Sequence, residues 1–147
     1  MNYNRSHILI VEDNRDHWFI IESALKDRLP DVEPVLAING EEARTYLQNC
    51  LDSRANLPKI ILLDLYLPTR EQGWQLLREL KKEGSPFVQV PVVILSFSKD
   101  TNDIAEVYNY GATAYLVKPT DYNSWLKYFE TLRQYWWDTV TLPGDRL

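Results

Sequence analysis

The segment His7-Ile8-Leu9-Ile10-Val11-Glu12-Asp13 decides the fold. From His7 to Val11 the strand opens on a histidine and then runs through Ile8, Leu9, Ile10 and Val11 with no polar interruption, the pattern of a strand buried on both faces of a parallel sheet; a sheet wet on one side would alternate. The run stops at Glu12-Asp13-Asn14. Trp18, Ile21, Leu25 and Leu29 then recur at spacings of three and four, which predicts an amphipathic helix with Asn14 as its N-cap and the turn at Pro30-Asp31 as its stop. A strand followed at once by a helix is one β-α unit.

The rest of the chain repeats that unit. Pro34 to Ile38 is a weaker strand, and Asn39 followed by Glu42 reads as a capping box opening a helix through Ala43, Tyr46, Leu47 and Cys50. Lys59 to Leu63 is a third strand, ended by Asp64 and a loop from Leu65 to Gly73, after which Trp74, Leu77 and Leu80 mark a helix. Pro91 to Leu95 is a fourth strand, and Asn102 to Tyr110 a helix with Ile104, Val107 and Tyr108 inward. Thr113 to Val117 is a fifth strand ending at Lys118-Pro119. A last helix is predicted from Tyr122 to Asp138 with Trp125, Phe129, Leu132 and Trp136 as its apolar stripe, leaving Tyr128, Tyr135 and Trp137 as aromatic surface for a partner. Parallel strands need crossover connections, so the units imply a doubly wound α/β sheet with helices on both faces.

Composition narrows the function. At 147 residues the chain has the length of about one domain. Hydrophobic content of 45% with 25% charged residues is that of a soluble globular protein. Net charge is -5, with no basic run to supply phosphate contacts, which argues against direct nucleic-acid binding. A single cysteine, Cys50, cannot form an intrachain disulfide and reads as a small buried hydrophobe, and no signal or membrane-spanning stretch is present, so a cytoplasmic setting is expected. His7 and His17 read as strand-entry and exposed-helix residues, because neither has a partner at metal-ligand spacing.

Ligands of open α/β sheets bind outside the carboxyl ends of the strands. Those ends carry Glu12 and Asp13, Asp64, Ser96 and Lys118. In the flavodoxin-like strand order 2-1-3-4-5 the first and third strands are neighbours, and three carboxylates then converge beside a hydroxyl and an ammonium group. At about 5 Å and an effective dielectric near 20, each carboxylate pair repels by roughly 3 kcal/mol, so a hard cation is the natural neutraliser. Mg2+ suits a site with few protein carboxylates that leaves room for waters and a phosphoryl group.

These residues lie in four segments: Ile8 to Asp13 (ILIVED), Ile61 to Pro68 (ILLDLYLP), Pro91 to Ser96 (PVVILS) and Gly111 to Pro119 (GATAYLVKP). In that order the chain resembles the receiver domain of two-component response regulators, from Arg5 to about Tyr135. The resemblance implies that Asp64 accepts a phosphoryl group from a sensor histidine kinase. It implies that Asp13, Asp64 and the backbone carbonyl of Tyr66 bind Mg2+, with Glu12 supporting the ion through its waters. It further implies that Ser96 and Lys118 contact the phosphoryl oxygens, that Lys118-Pro119 is cis, and that Tyr115 turns inward on activation. A phosphoacceptor of this kind is a signalling protein that catalyses only its own phosphorylation and dephosphorylation.

The chain departs from the family pattern in places. Gly73 lies one residue later than the family's loop glycine, so Thr69 to Gln72 holds an extra residue, and Phe97 replaces the usual small residue after the switch hydroxyl. Only Thr139 to Leu147 follows the last helix, so a single receiver domain over residues 1–147 is expected, with a tail and no output domain. The end, Trp136 to Pro143, is similar to that of the small regulators that partner cyanobacterial phytochromes, which implies a phytochrome-type kinase and a homodimer. A phosphatase of the haloacid dehalogenase type would need a second acid two residues after Asp64, where Tyr66 stands. A receiver-like interaction module that works without phosphorylation is the better rival, given Phe97.

Overall fold

The computed structural model describes residues 6–137, with Trp136 and Trp137 described in the backbone alone. Strand β1 spans His7–Val11, and β2 to β5 span Glu33–Ala37, Ile60–Asp64, Val92–Ser96 and Ala114–Val117. They form one parallel sheet in the order β2-β1-β3-β4-β5, the order expected for the doubly wound flavodoxin-like fold. Helices α1 to α5 span Arg15–Arg28, Gly40–Asp52, Arg70–Lys81, Thr101–Asn109 and Tyr122–Leu132.

Alternate residues of each central strand feed opposite cores. Ile8, Ile10, Ile60, Leu62, Val93 and Leu95 pack with Ile21 and Leu25 of α1 and with Trp125, Phe129 and Leu132 of α5. Leu9, Val11, Ile61, Leu63, Val92 and Ile94 pack with Leu47 of α2, Leu76, Leu77 and Leu80 of α3 and Val107 of α4. Burial on both faces is why these strands read as unbroken apolar runs. Each fully buried Ile, Leu or Phe removes enough apolar surface to contribute about 1.5–3 kcal/mol before chain entropy is counted.

The caps follow the side chains. Asn14 accepts from the His17 N–H at the start of α1, and Asn39 accepts from the Glu42 N–H at the start of α2. Glu42 answers by accepting from the N–H of Ile38, one residue before the N-cap. Thr69 caps α3, so Gly73 lies within its first turns and not in a loop. A Cβ on Gly73 would stand 1.9 Å from the Leu65 carbonyl oxygen. Only glycine lets the helix close this tightly on the backbone just past Asp64.

Some expectations need correction. In α4 the buried positions are Asp103 and Val107, whereas Tyr108 is 48% exposed. The carboxylate faces inward because polar groups from other elements meet it there. In α5, Tyr128 packs against the core beside Trp125 and Phe129 and is not free aromatic surface, and its burial pushes the phenol pKa up. The regular helix ends at Leu132 and gives way to a π-helical turn over Arg133–Trp137. Among the described residues the cis peptide bond is Leu67–Pro68; Lys118–Pro119 is not cis. Asp138, the tail and the side chains of Trp136 and Trp137 lie outside the described residues.

Candidate functional site

Register brings the strand ends together. Val11 is opposite both Ala37 and Leu63, so Glu12 and Asp64 leave the sheet side by side. Ser96 is opposite Val117, which places Lys118 one residue beyond. The ladder continues past the strands, with the N–H of Leu65 donating to Leu95 O and that of Lys118 to Ser96 O, at 2.9 and 2.8 Å. A cavity of about 500 Å3 opens over these ends, and Glu12, Asp13, Asp64, Tyr66 and Lys118 line it. Ser96 lies just beneath, 1% exposed, while the next two residues, Phe97 and Ser98, reach the wall.

Charges in the cavity are tightly linked. Lys118 Nζ donates to Glu12 Oε2 at 3.0 Å and to Asp64 Oδ2 at 3.4 Å. Asp64 Oδ1 accepts from the Tyr66 N–H at 3.2 Å. Burial pushes the Asp64 pKa up to about 7 despite the opposing pull of Lys118, and the neighbouring Glu12 charge pushes the same way as burial. An acid raised in this manner lacks positive charge. Glu12, Asp13 and Asp64 each offer a carboxylate oxygen within 4.8 Å of the others, a donor set of hard oxygens that fits a divalent cation such as Mg2+. Both oxygens of Glu12 already hold protein partners, whereas Asp13 is exposed.

His17 belongs to the site, contrary to its reading as an exposed helix residue. Its Nδ1 lies 3.1 Å from Glu12 Oε1 and 3.1 Å from Lys118 Nζ. Burial, and then the charge of Lys118, lower its pKa. The signal available in the sequence was its place in the first turn of a helix that starts directly after the acids. Phe97 sits against the same groups, with its ring centroid 5.2 Å from Lys118 Nζ and 5.4 Å from the His17 ring.

Ser96 and Tyr115 are held by one residue. Ser96 Oγ accepts from the Ser98 N–H at 3.1 Å, and the Tyr115 hydroxyl donates to Ser98 O at 2.8 Å. Tyr115 is thus turned inward here and packs on the core. The sequence reading missed Asp103, 2% exposed, which accepts from Ser98, Arg70 and Tyr66. Its burial would raise its pKa, but the bonds from Ser98 and Arg70 outweigh this and hold it below the usual value.

The model of the response regulator receiver domain matches residues 8–130. The chain belongs to the response regulator receiver family. Response regulator Rcp1 of Synechocystis is 31% identical over 138 residues, which is 93% of this chain and 92% of that protein. The structure of the phosphorylated cyanobacterial phytochrome response regulator RcpA superposes with a TM-score of 0.82 at 31% identity, covering 95% of this chain and 99% of RcpA. The Mn2+-bound form of Rcp1 gives 0.78 at 30% identity, with the same coverage. Receivers of this family work with sensor histidine kinases in two-component systems and bind a divalent cation at an acidic pocket, which the cluster of Glu12, Asp13 and Asp64 fits. Among the described residues no helix is long and apolar enough to cross a membrane.

Proposed function

We propose that the chain is a phosphoacceptor regulator in which Asp64 takes a phosphoryl group from the phosphohistidine of a sensor histidine kinase. The observation that supports this reading is Asp64 itself, a 7% exposed carboxylate on the floor of an open cavity, beside two further carboxylates and 3.4 Å from an ammonium group. A carboxylate oxygen of Asp64 attacks phosphorus, the P–N bond breaks, and the imidazole nitrogen leaves with the bonding pair. Asp13 and Asp64, with the Tyr66 carbonyl, would hold Mg2+ and Glu12 would support its waters; bound there, the ion neutralises charge on the phosphoryl oxygens.

The chain's own residues do the rest. Lys118 contacts the phosphoryl oxygens by turning part of its hydrogen bonding from Glu12 toward them, and Ser96 donates its hydroxyl to another. That pull carries the β4–α4 segment and Tyr115, converting a local charge into a surface change without further enzymatic activity. Similarity to RcpA, a cyanobacterial phytochrome response regulator, favours a phytochrome-type kinase as donor; a homodimeric state and a cytoplasmic setting belong to the same proposal. Transfer of labelled phosphoryl from an autophosphorylated phytochrome-type kinase tests the reading. Label should reach the wild type in Mg2+ and not Asp64→Asn; equal labelling of the two rejects it.

A further inference from the structure

Asp103 is a third buried carboxylate beside Glu12 and Asp64, set apart from the acid cluster, and the reaction proposed above does not use it. It sits in the first turn of α4, and three donors from two other segments converge on it. Arg70 Nη1, from the first residue of α3, donates to Oδ1 at 2.6 Å. Ser98 Oγ donates to Oδ2 at 2.9 Å, and the Tyr66 hydroxyl to the same oxygen at 3.3 Å. Desolvating a carboxylate this fully is costly unless it is paired, so four polar groups drawn to one point hold their segments in fixed relation.

Ser98 links this point to Ser96 at the end of β4. Its N–H donates to Ser96 Oγ at 3.1 Å, its Oγ accepts from the Asp100 N–H at 3.1 Å while donating to Asp103, and its carbonyl accepts from Tyr115. Every polar group of Ser98 is therefore engaged, and the direction of its N–H is set from both sides. An N–H seated on Ser96 Oγ takes one of that oxygen's lone pairs and restricts where its own proton can point.

We propose that Asp103 is a positioning residue for phosphoryl acceptance: through Ser98 it fixes the direction in which the Ser96 hydroxyl donates toward a group on Asp64, and through Arg70 and Tyr66 it ties that direction to the segment after β3. The inference rests on Asp64 being the phosphoacceptor. The position of α4 and the readiness of Ser96 are then set together.

The test measures the rate of phosphorylation by acetyl phosphate at saturating Mg2+, followed by intact mass, with Mg2+ affinity taken from titration calorimetry. Asp103→Ala and Ser98→Ala should each slow the reaction about tenfold, the scale on which small misplacements of a reacting group act. Mg2+ affinity should stay within about twofold, since the metal-facing carboxylates are untouched. The double variant should be no slower than the slower single one, because both break one chain of contacts. Ser98→Thr, which keeps the hydroxyl, should restore the rate. Should Asp103→Ala fail to fold, the two Ser98 variants decide alone. Unchanged rates, losses that multiply in the double variant, or Mg2+ affinity falling in step with the rate would overturn the proposal. A wild type that binds Mg2+ yet takes no phosphoryl group rejects the reading of Asp64 and this role with it; a wild type that reacts normally beside unaffected variants rejects this role alone.

Discussion

Lys118 and Glu12 form a buried ion pair, Nζ to Oε2 at 3.0 Å with the two side chains 3% and 0% exposed. The ammonium lies nearer to Glu12 than to Asp64, at 3.4 Å. It stands beside the proposed acceptor while its charge is shared with Glu12.

Replacing Lys118 by Met removes a cation from between two buried carboxylates. Breaking such a pair costs about 3–5 kcal/mol, with protonation of Asp64 relieving part of it. A divalent cation can take over the neutralisation, so Mg2+ should raise the melting temperature of Lys118→Met by more than it raises that of the wild type. Equal increments in the two proteins would show that Lys118 does not carry this charge.

The raised pKa of Asp64, about 7, sets a pH window. An unfolded aspartate titrates near 3.9, so between about pH 4 and 7 the native state binds the extra proton and the metal-free protein loses stability as pH rises. A cation needs the deprotonated carboxylate, so Mg2+ affinity should climb with pH through about 7 and level off above it. Calorimetric titrations at several pH values read this directly, and an affinity flat from pH 6 to 8 would contradict it.

The strands were legible because burial on both faces leaves an unbroken apolar run, and the residue after each run was therefore visible as a strand end. Their limits shifted by one residue at β3 and β4, where Asp64 and Ser96 still pair with Leu95 and Val117 although their side chains serve the site. Asp103 and His17 were not legible. The helical period of α4 marks a carboxylate as an outer position, and nothing within that helix reports that Arg70 and Tyr66, 33 and 37 residues earlier, would meet it inside. His17 is partly covered by Glu12, Lys118 and Phe97, of which Lys118 lies 101 residues away. Tyr128 was misplaced for a similar reason, since packing of α5 beside α1 widens its buried face beyond a single stripe.

Phe97 rests by Lys118 and His17 at the cavity wall beside Asp64 while staying 53% exposed. Hydrolysis of an aspartyl phosphate needs water in line with phosphorus, and an aromatic wall restricts its approach. Phe97→Ala should speed loss of the phosphoryl group about threefold, or roughly 0.7 kcal/mol on the barrier. Tyr66 offers less shielding, because its hydroxyl is drawn to Asp103. A dephosphorylation time course in Mg2+ that is unchanged by Phe97→Ala would refute the shielding.

Self-association is expected at the π-helical turn after α5, where Tyr135 is 55% exposed and aromatic side chains of this kind dominate interface centres. Light scattering over a concentration series should show a dimer, weakened by Tyr135→Ala. A strict monomer at every concentration, phosphorylated or not, would count against it.

Acceptance of the phosphoryl group by Asp64 is tested by intact mass and peptide mapping after incubation with acetyl phosphate and Mg2+. One phosphoryl adduct is expected, located on Asp64, not formed when Mg2+ is chelated and absent from a folded Asp64→Asn. An adduct that persists in Asp64→Asn, or a wild type that binds Mg2+ and remains unmodified, would contradict it.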